Sequence, residues 1–190
     1  MGSPRTDLVA ETALTLLAER GMRGLTHRAV DAAAALPPGA ASNVARTRAA
    51  LLELALARLN ELEERQFAAL GVASVPDRLE PAIELLARLL HGQITEGRRR
   101  TLARYELALE ATRRPELRSL YDVSGRHFRE PAVALMTALG STDPEADGRR
   151  LVVYAEGVIF YALAGAGTDP TMDELRRDLT GFLTGLLRGR

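Results

Sequence analysis

Two adjacent prolines, Pro37 and Pro38, constrain the chain more than any other feature. Proline has no backbone N–H and disfavours helical geometry in the residue before it. A helix arriving at Leu36 must therefore stop near Ala35. Upstream, Thr26 is a good N-cap, and Ala29, Val30, Ala33 and Ala34 recur at helical spacing. Downstream, Pro38 is preset for the first turn of a new helix that runs to about Val44, and Thr47 caps another. The stretch from Leu25 to Leu51 thus predicts two short helices joined by a tight turn, then a third helix. This is the pattern of a helix-turn-helix, whose second helix enters the major groove of DNA.

Apolar residues make up 46% of the 190 and aromatics only 4%, with alanine and leucine abundant. No run alternates apolar and polar positions with β-branched residues, so strands are not expected. The expectation is an all-α chain of about nine helices, long enough for one or two domains with a real core. A first helix starts after Ser3, with Pro4 in its first turn, and Gly21 ends it as a left-handed cap. Leu51, Leu52, Ala55, Leu59, Leu62, Gln66 and Leu70 draw an apolar stripe along a fourth helix, about residues 47–70. It is predicted to link an N-terminal helix-turn-helix domain, 1–48, to a C-terminal helical domain, 49–190. After a break from Gly71 to Asp77, further helices are expected from Pro81 and over Arg98–Arg113. Another spans Leu117 to Leu139, kinked by Gly125 and Pro131, and residues 140–147 are predicted to form a loop. The last two helices are Leu151–Leu163, apolar nearly all round, and a strongly striped segment from Met172 to Leu187.

Several chemistries are disfavoured. There is no cysteine, hence no disulfide and no thiolate metal site. His27, His91 and His127 lack metal-ligand spacing, and neither a glycine-rich phosphate loop nor a Gly-x-Ser-x-Gly turn is present. Glu106 and Glu110 share a helix face but lack the Glu-x-x-His partners of bundle metal sites. No catalytic residue, metal or cofactor is therefore expected. The net charge is zero, which argues against a protein that coats nucleic acid but leaves room for a local basic face. All twenty-five basic residues are arginine. The run Arg98-Arg99-Arg100 lies outside the helix-turn-helix and is expected to be solvated. The opening is polar, unlike a signal peptide, and Glu156 interrupts an apolar run already too short to span a bilayer. A cytoplasmic protein without membrane contact is expected.

Residues 5–60 resemble, without gaps, the DNA-binding domain of the tetracycline-repressor (TetR) family of transcription regulators. The pieces that carry the resemblance are Ala18-Glu19-Arg20-Gly21, Leu25-Thr26, Leu36-Pro37-Pro38-Gly39 and Thr47-Arg48-Ala49-Ala50-Leu51. Two departures stand out. Ser42-Asn43-Val44-Ala45 occupies the place where family members often carry an aromatic pair and His-Phe, and Pro37 replaces the usual polar cap. The resemblance implies a homodimer whose paired readers fit a palindromic operator on double-stranded DNA, and which a small-molecule effector releases. The expected function is a ligand-responsive repressor. A regulator without a ligand, or a helical small-molecule-binding enzyme, is the alternative.

The residues expected at DNA are Thr26, His27, Arg28, Pro38, Gly39, Ala40, Ser42, Asn43, Arg46, Thr47 and Arg48. Arginine neutralises phosphate and sets register; asparagine can bond an adenine edge, and alanine can meet a thymine methyl. Leu102, Tyr105, Leu109, Tyr121, Phe128, Met136 and Glu156 are the expected lining of an effector pocket for a mostly apolar molecule. Glu156, inside an apolar run, must find a partner or a ligand. For the dimer, Val152 and Ile159 of one helix and Leu175, Leu179, Phe182, Leu183 and Leu186 of the last are expected at the interface. Gly181 and Gly185, four apart, would admit a close neighbouring helix, giving a four-helix bundle.

Overall fold

The computed structural model describes residues 3–69 and 75–188, and every regular element among them is an α-helix. In chain order these are α1 (Pro4–Gly24), α2 (His27–Ala33), α3 (Ala40–Val44), α4 (Arg48–Ala69) and α5 (Leu79–Ile94). They continue with α6 (Arg98–Ala111), α7 (Pro115–Ser124), α8 (Arg126–Ala138), α9 (Pro144–Leu163) and α10 (Met172–Arg188). Leu70 and the expected break over 71–74 lie outside the described residues.

Local chemistry accounts for most boundaries. The Ser3 hydroxyl accepts the Thr6 N–H at 3.2 Å, and Pro4 follows it. Gly21 breaks α1 with φ 65° and ψ −173°, and one more turn runs on to Gly24. Two expectations need correction. The single kinked helix over Leu117–Leu139 is two helices divided at Gly125, a weak helix former, while Pro131 is carried inside α8. The loop expected up to Asp147 ends sooner. Asp143 accepts the Ala146 N–H at 3.2 Å and Pro144 occupies the first turn, so α9 starts seven residues before Leu151.

The chain forms two compact units, one of residues 1–63 with 99–124 and one of 64–98 with 125–190. The first unit is built on Val9, Leu16, Leu17, Val30, Leu51, Leu52, Leu59 and Leu107, all essentially inaccessible to solvent. Its buried cation, Arg58, binds Glu11 and, at 2.7 Å, Glu61. Arg104 of α6 and Glu63 of α4 form a second buried pair at 3.5 Å. In the second unit α8 packs on α9, and α5 packs on both α9 and α10. Gly148 makes the α8–α9 approach possible, because a Cβ there would lie 2.9 Å from the Val133 backbone nitrogen.

Candidate DNA reader and effector cavity

The helix-turn-helix is braced from inside. Thr26 caps α2 by accepting the Ala29 N–H at 3.1 Å. At the other end Ala35 takes a left-handed φ of 51°, which lets Leu36 N–H reach back to the Asp31 carbonyl at 2.8 Å. Asp31 then does what no residue next to α3 can. Its carboxylate accepts the Gly39 and Ala41 N–H groups, each at 2.7 Å, and so caps α3 from across the turn. Gly39 itself sits at φ 87° and offers no side chain. The sequence reading missed Asp31, whose only signal was an acidic side chain six residues before the prolines.

This arrangement separates the expected DNA residues. Thr26, Arg28, Pro38, Gly39, Asn43, Arg46 and Thr47 are exposed, and Ser42 is half-buried. The side chains of Arg28, Asn43 and Arg46 have no hydrogen-bond or ion-pair partner among the described residues. Thr47 spends its hydroxyl on the Ala50 N–H, at 3.1 Å, as the cap of α4. Three expectations change. Ala40 is only 5% exposed and Ala41 not at all, because the Asp31 cap draws this end of α3 inward; neither can meet a thymine methyl. The Arg48 guanidinium donates to the Met22 and Leu25 carbonyls, so it ties α4 to the end of α1 instead of extending to phosphate. The His27 imidazole nitrogen donates to the Ala45 carbonyl at 2.6 Å and closes α2 onto the end of α3. The broken turn of α1 has one further tie, since Glu106 of α6 accepts the Met22 N–H at 3.0 Å.

The second unit contains a cavity of about 100 Å³. Leu85, Leu86, Leu89, Leu90 and Gln93 of α5 form one wall, and Phe128, Pro131, Ala132 and Leu135 of α8 another. Leu151, Val152, Ala155, Glu156 and Ile159 of α9 face them, with Phe67 from the end of α4. The Phe67 and Phe128 rings meet edge to face, centroids 5.5 Å apart. Of the residues expected here, Phe128 and Glu156 line the cavity. Met136 is fully buried core and does not line it. Leu102, Tyr105, Leu109 and Tyr121 belong to the first unit, where Leu109 is 58% exposed and Tyr105 lies 5.2 Å beneath the Arg104 guanidinium. Helical periodicity identifies a face but not its neighbour. The two leucine pairs of α5, four residues apart, were the available signal for the missed wall.

The expected dimer residues divide in the same way. Ile159, Leu175, Leu179 and Leu183 are at most 2% exposed within one chain, so they belong to its core and are not available to a second copy. Val152 lines the cavity, Phe182 stacks on Tyr154 with centroids 4.1 Å apart, and Leu186 is half-buried. The open apolar positions are others: Val153, Phe160 and Tyr161 of α9, 72%, 51% and 60% exposed. Gly157, Gly181 and Gly185 face open space. Among the described residues no cluster of acidic or histidine side chains is arranged to hold a metal ion, and no helix is long and apolar enough to cross a membrane.

Residues 77–189 match a family model described as the tetracyclin repressor-like C-terminal domain. No curated protein is significantly similar in sequence. Among solved structures, the multidrug binding protein EbrR complexed with ethidium is 30% identical over 96% of this chain and 99% of its own, with a TM-score of 0.71. A TetR-family member from Streptomyces coelicolor A3 is 28% identical over 94% of this chain and 98% of its own, TM-score 0.73. A transcriptional regulator from Rhodococcus sp. Rha1 shares the fold, with a TM-score of 0.80 at 20% identity over 97% of this chain and 96% of its own.

Proposed function

Since this chain belongs to the TetR-like family of transcriptional regulators, we propose that it is a ligand-responsive repressor that binds a palindromic operator as a homodimer. The observation that carries the reading is the exposed face of the braced helix-turn-helix, with Asn43, Arg28 and Arg46 held outward and uncommitted. Arg28 and Arg46 neutralise backbone phosphates, and Asn43 reads a base edge. Residues 1–48 act as reader and 49–190 as effector and dimer domain. The effector enters the cavity between α5, α8 and α9; the ethidium complex of EbrR supports a small-molecule occupant. α4 contributes Leu51 and Leu52 to the core beneath the reader and Phe67 to the cavity wall, which makes it the element that feels occupancy. Release requires only that the effector bind the DNA-incompetent state more tightly.

The dimer forms through Val153, Gly157, Phe160 and Tyr161 of α9 with Gly181 and Gly185 of α10. These positions leave an apolar, glycine-notched surface open in one chain. The test is a gel shift at several salt concentrations, with DNA flanking the protein's own gene. Arg28→Ala and Arg46→Ala each flatten the salt slope by about one unit. Asn43→Ala costs roughly 1–3 kcal/mol on the preferred site and relaxes one base position. Binding of every DNA by all three variants at wild-type strength refutes the assignment. Val153→Arg changes a solvent-facing residue, so the chain stays folded but elutes as a monomer in light scattering; a monomeric wild type refutes the dimer.

A further inference from the structure

The corner between α1 and α2 carries charge that the helix-turn-helix contacts leave unused. Between Thr12 and Val30 the only acidic residue is Glu19, against Arg20, Arg23 and Arg28. The side chains of Arg20 and Arg23 are exposed and have no hydrogen-bond or ion-pair partner among the described residues. The backbone that carries them is held firmly. Gly21 breaks α1 at φ 65°, and Glu106 of α6 reaches over the break to accept the Met22 N–H at 3.0 Å. The Met22 carbonyl accepts in turn from Arg48 of α4. Gly24 is pressed so close to Arg20 that a Cβ on it would lie 2.2 Å from the Arg20 Cβ. Arg23 thus stands between two fixed neighbours. Resting on the DNA-reader assignment above, we propose that Arg23 is a further contact to a DNA backbone phosphate and that Glu106 positions it.

Reach and preorganisation both favour a phosphate. In a helix-turn-helix the first helix, here α2, crosses the DNA backbone. Arg23 precedes Thr26, the cap of α2, by three residues, a span of at most about 11 Å before the arginine side chain adds its own length. Successive phosphates of a strand are about 3.4 Å apart along the duplex axis, so Arg23 reaches a phosphate beside those that face Thr26 and Arg28. Arginine meets phosphate with a planar fork of donors, and a guanidinium without a partner in the protein breaks no existing bond on binding. Such a contact is weakened when a turn must be ordered to make it. Here the turn is already ordered, at its N–H by Glu106 and at its carbonyl by Arg48. Glu106 is itself an anion, so by charge alone it opposes DNA; only its bond to Met22 makes it an aid to binding.

The experiment uses the full-length protein and a fluorescein-labelled duplex of arbitrary sequence, since a phosphate contact does not depend on sequence. With about 30 base pairs, fluorescence anisotropy gives the affinity between about 50 and about 200 mM salt. Arg23→Ala makes the salt dependence shallower by about one unit for each reader on the duplex, as Arg28→Ala does, and leaves the melting temperature unchanged. Arg65→Ala, which removes an exposed arginine near the other end of α4, leaves the slope as in wild type. Glu106→Ala removes a negative charge yet weakens binding and makes the slope shallower, with no further loss of slope when Arg23→Ala is added. Glu106→Asp keeps the charge but falls short of Met22 and gives the same result, which serves if Glu106→Ala does not fold. Glu106→Gln still accepts the Met22 N–H through its amide oxygen and binds at least as tightly as wild type. A wild-type slope in Arg23→Ala, beside shallower slopes in Arg28→Ala and Arg46→Ala, overturns the phosphate contact and leaves the reader standing. Binding by Glu106→Ala or Glu106→Asp as tight as by Glu106→Gln, or an additive loss in the double variant, overturns the positioning role. If the wild type does not bind the duplex, or none of the three arginine variants of the reader changes the slope, the reader assignment falls and this inference with it.

Discussion

Removing the Asp31 carboxylate should unfold the reader before anything else. Asp31 is 6% exposed, and its two oxygens accept backbone N–H groups at 2.7 Å each. Hydrogen bonds to a charged acceptor contribute roughly 1.5–3 kcal/mol apiece. The two donors are not equivalent. Gly39 is exposed, so water replaces the lost partner there, whereas Ala41 is 0% exposed and its N–H would be stranded. Asp31→Ala therefore costs about 3 kcal/mol, weighted toward the Ala41 bond. Asp31→Asn keeps one carbonyl acceptor but turns an amide N–H toward a backbone N–H, at a cost of about 2 kcal/mol. Urea denaturation followed by circular dichroism measures both, with exposed Asp77→Ala as a control expected within about 0.5 kcal/mol of wild type. Operator affinity in a gel shift should fall for Asp31→Ala even where the chain remains mostly folded, because α3 loses its register. A loss below about 1 kcal/mol for Asp31→Ala, or an Asn variant as harmless as the control, refutes the bracing argument.

Three further outcomes follow from local geometry. Ala35 holds a left-handed φ of 51°, so Ala35→Gly should stabilise the protein by about 0.5–1 kcal/mol in the same urea assay, the relief of strain exceeding the added chain entropy. Arg48→Ala should lower the melting temperature measurably, because the Met22 and Leu25 carbonyls lose their donor; a purely phosphate-binding arginine would leave it unchanged. The Arg176 and Arg88 guanidinium groups hold the Glu84 carboxyl at about 2, below its ordinary 4.5. Its contribution to stability is therefore fully present above pH 4.5 and lost as pH falls toward 2, so Glu84→Gln should flatten stability against pH within that window, as monitored by acid titration of the circular dichroism signal.

The parts of this protein that were legible before any coordinates are those whose chemistry closes within about four residues. Thr26 and Thr47 are caps because each hydroxyl reaches an N–H three positions on, and Pro37 stops a helix through its own ring and its immediate neighbour. The reader's two short helices, the all-helical class and the family resemblance followed from such signals. Asp143 and Pro144 belong to the same class, and the early start of α9 was there to be found.

What lay beyond the sequence was which surfaces meet. Asp31 caps a helix ten residues away only because the turn folds back on it. Arg48 looks like a phosphate contact until two carbonyls near the end of α1 are placed beside its guanidinium. Leu175, Leu179 and Leu183 show a perfect stripe, and periodicity states that such a stripe is covered without saying whether α5 or a second copy covers it. The cavity is the extreme case: Leu85 and Leu89 of α5, Phe128 of α8 and Glu156 of α9 are far apart along the chain. Only the mutual packing of their helices leaves a space among them instead of filling it, because a void is a property of mutual fit and no single segment carries it.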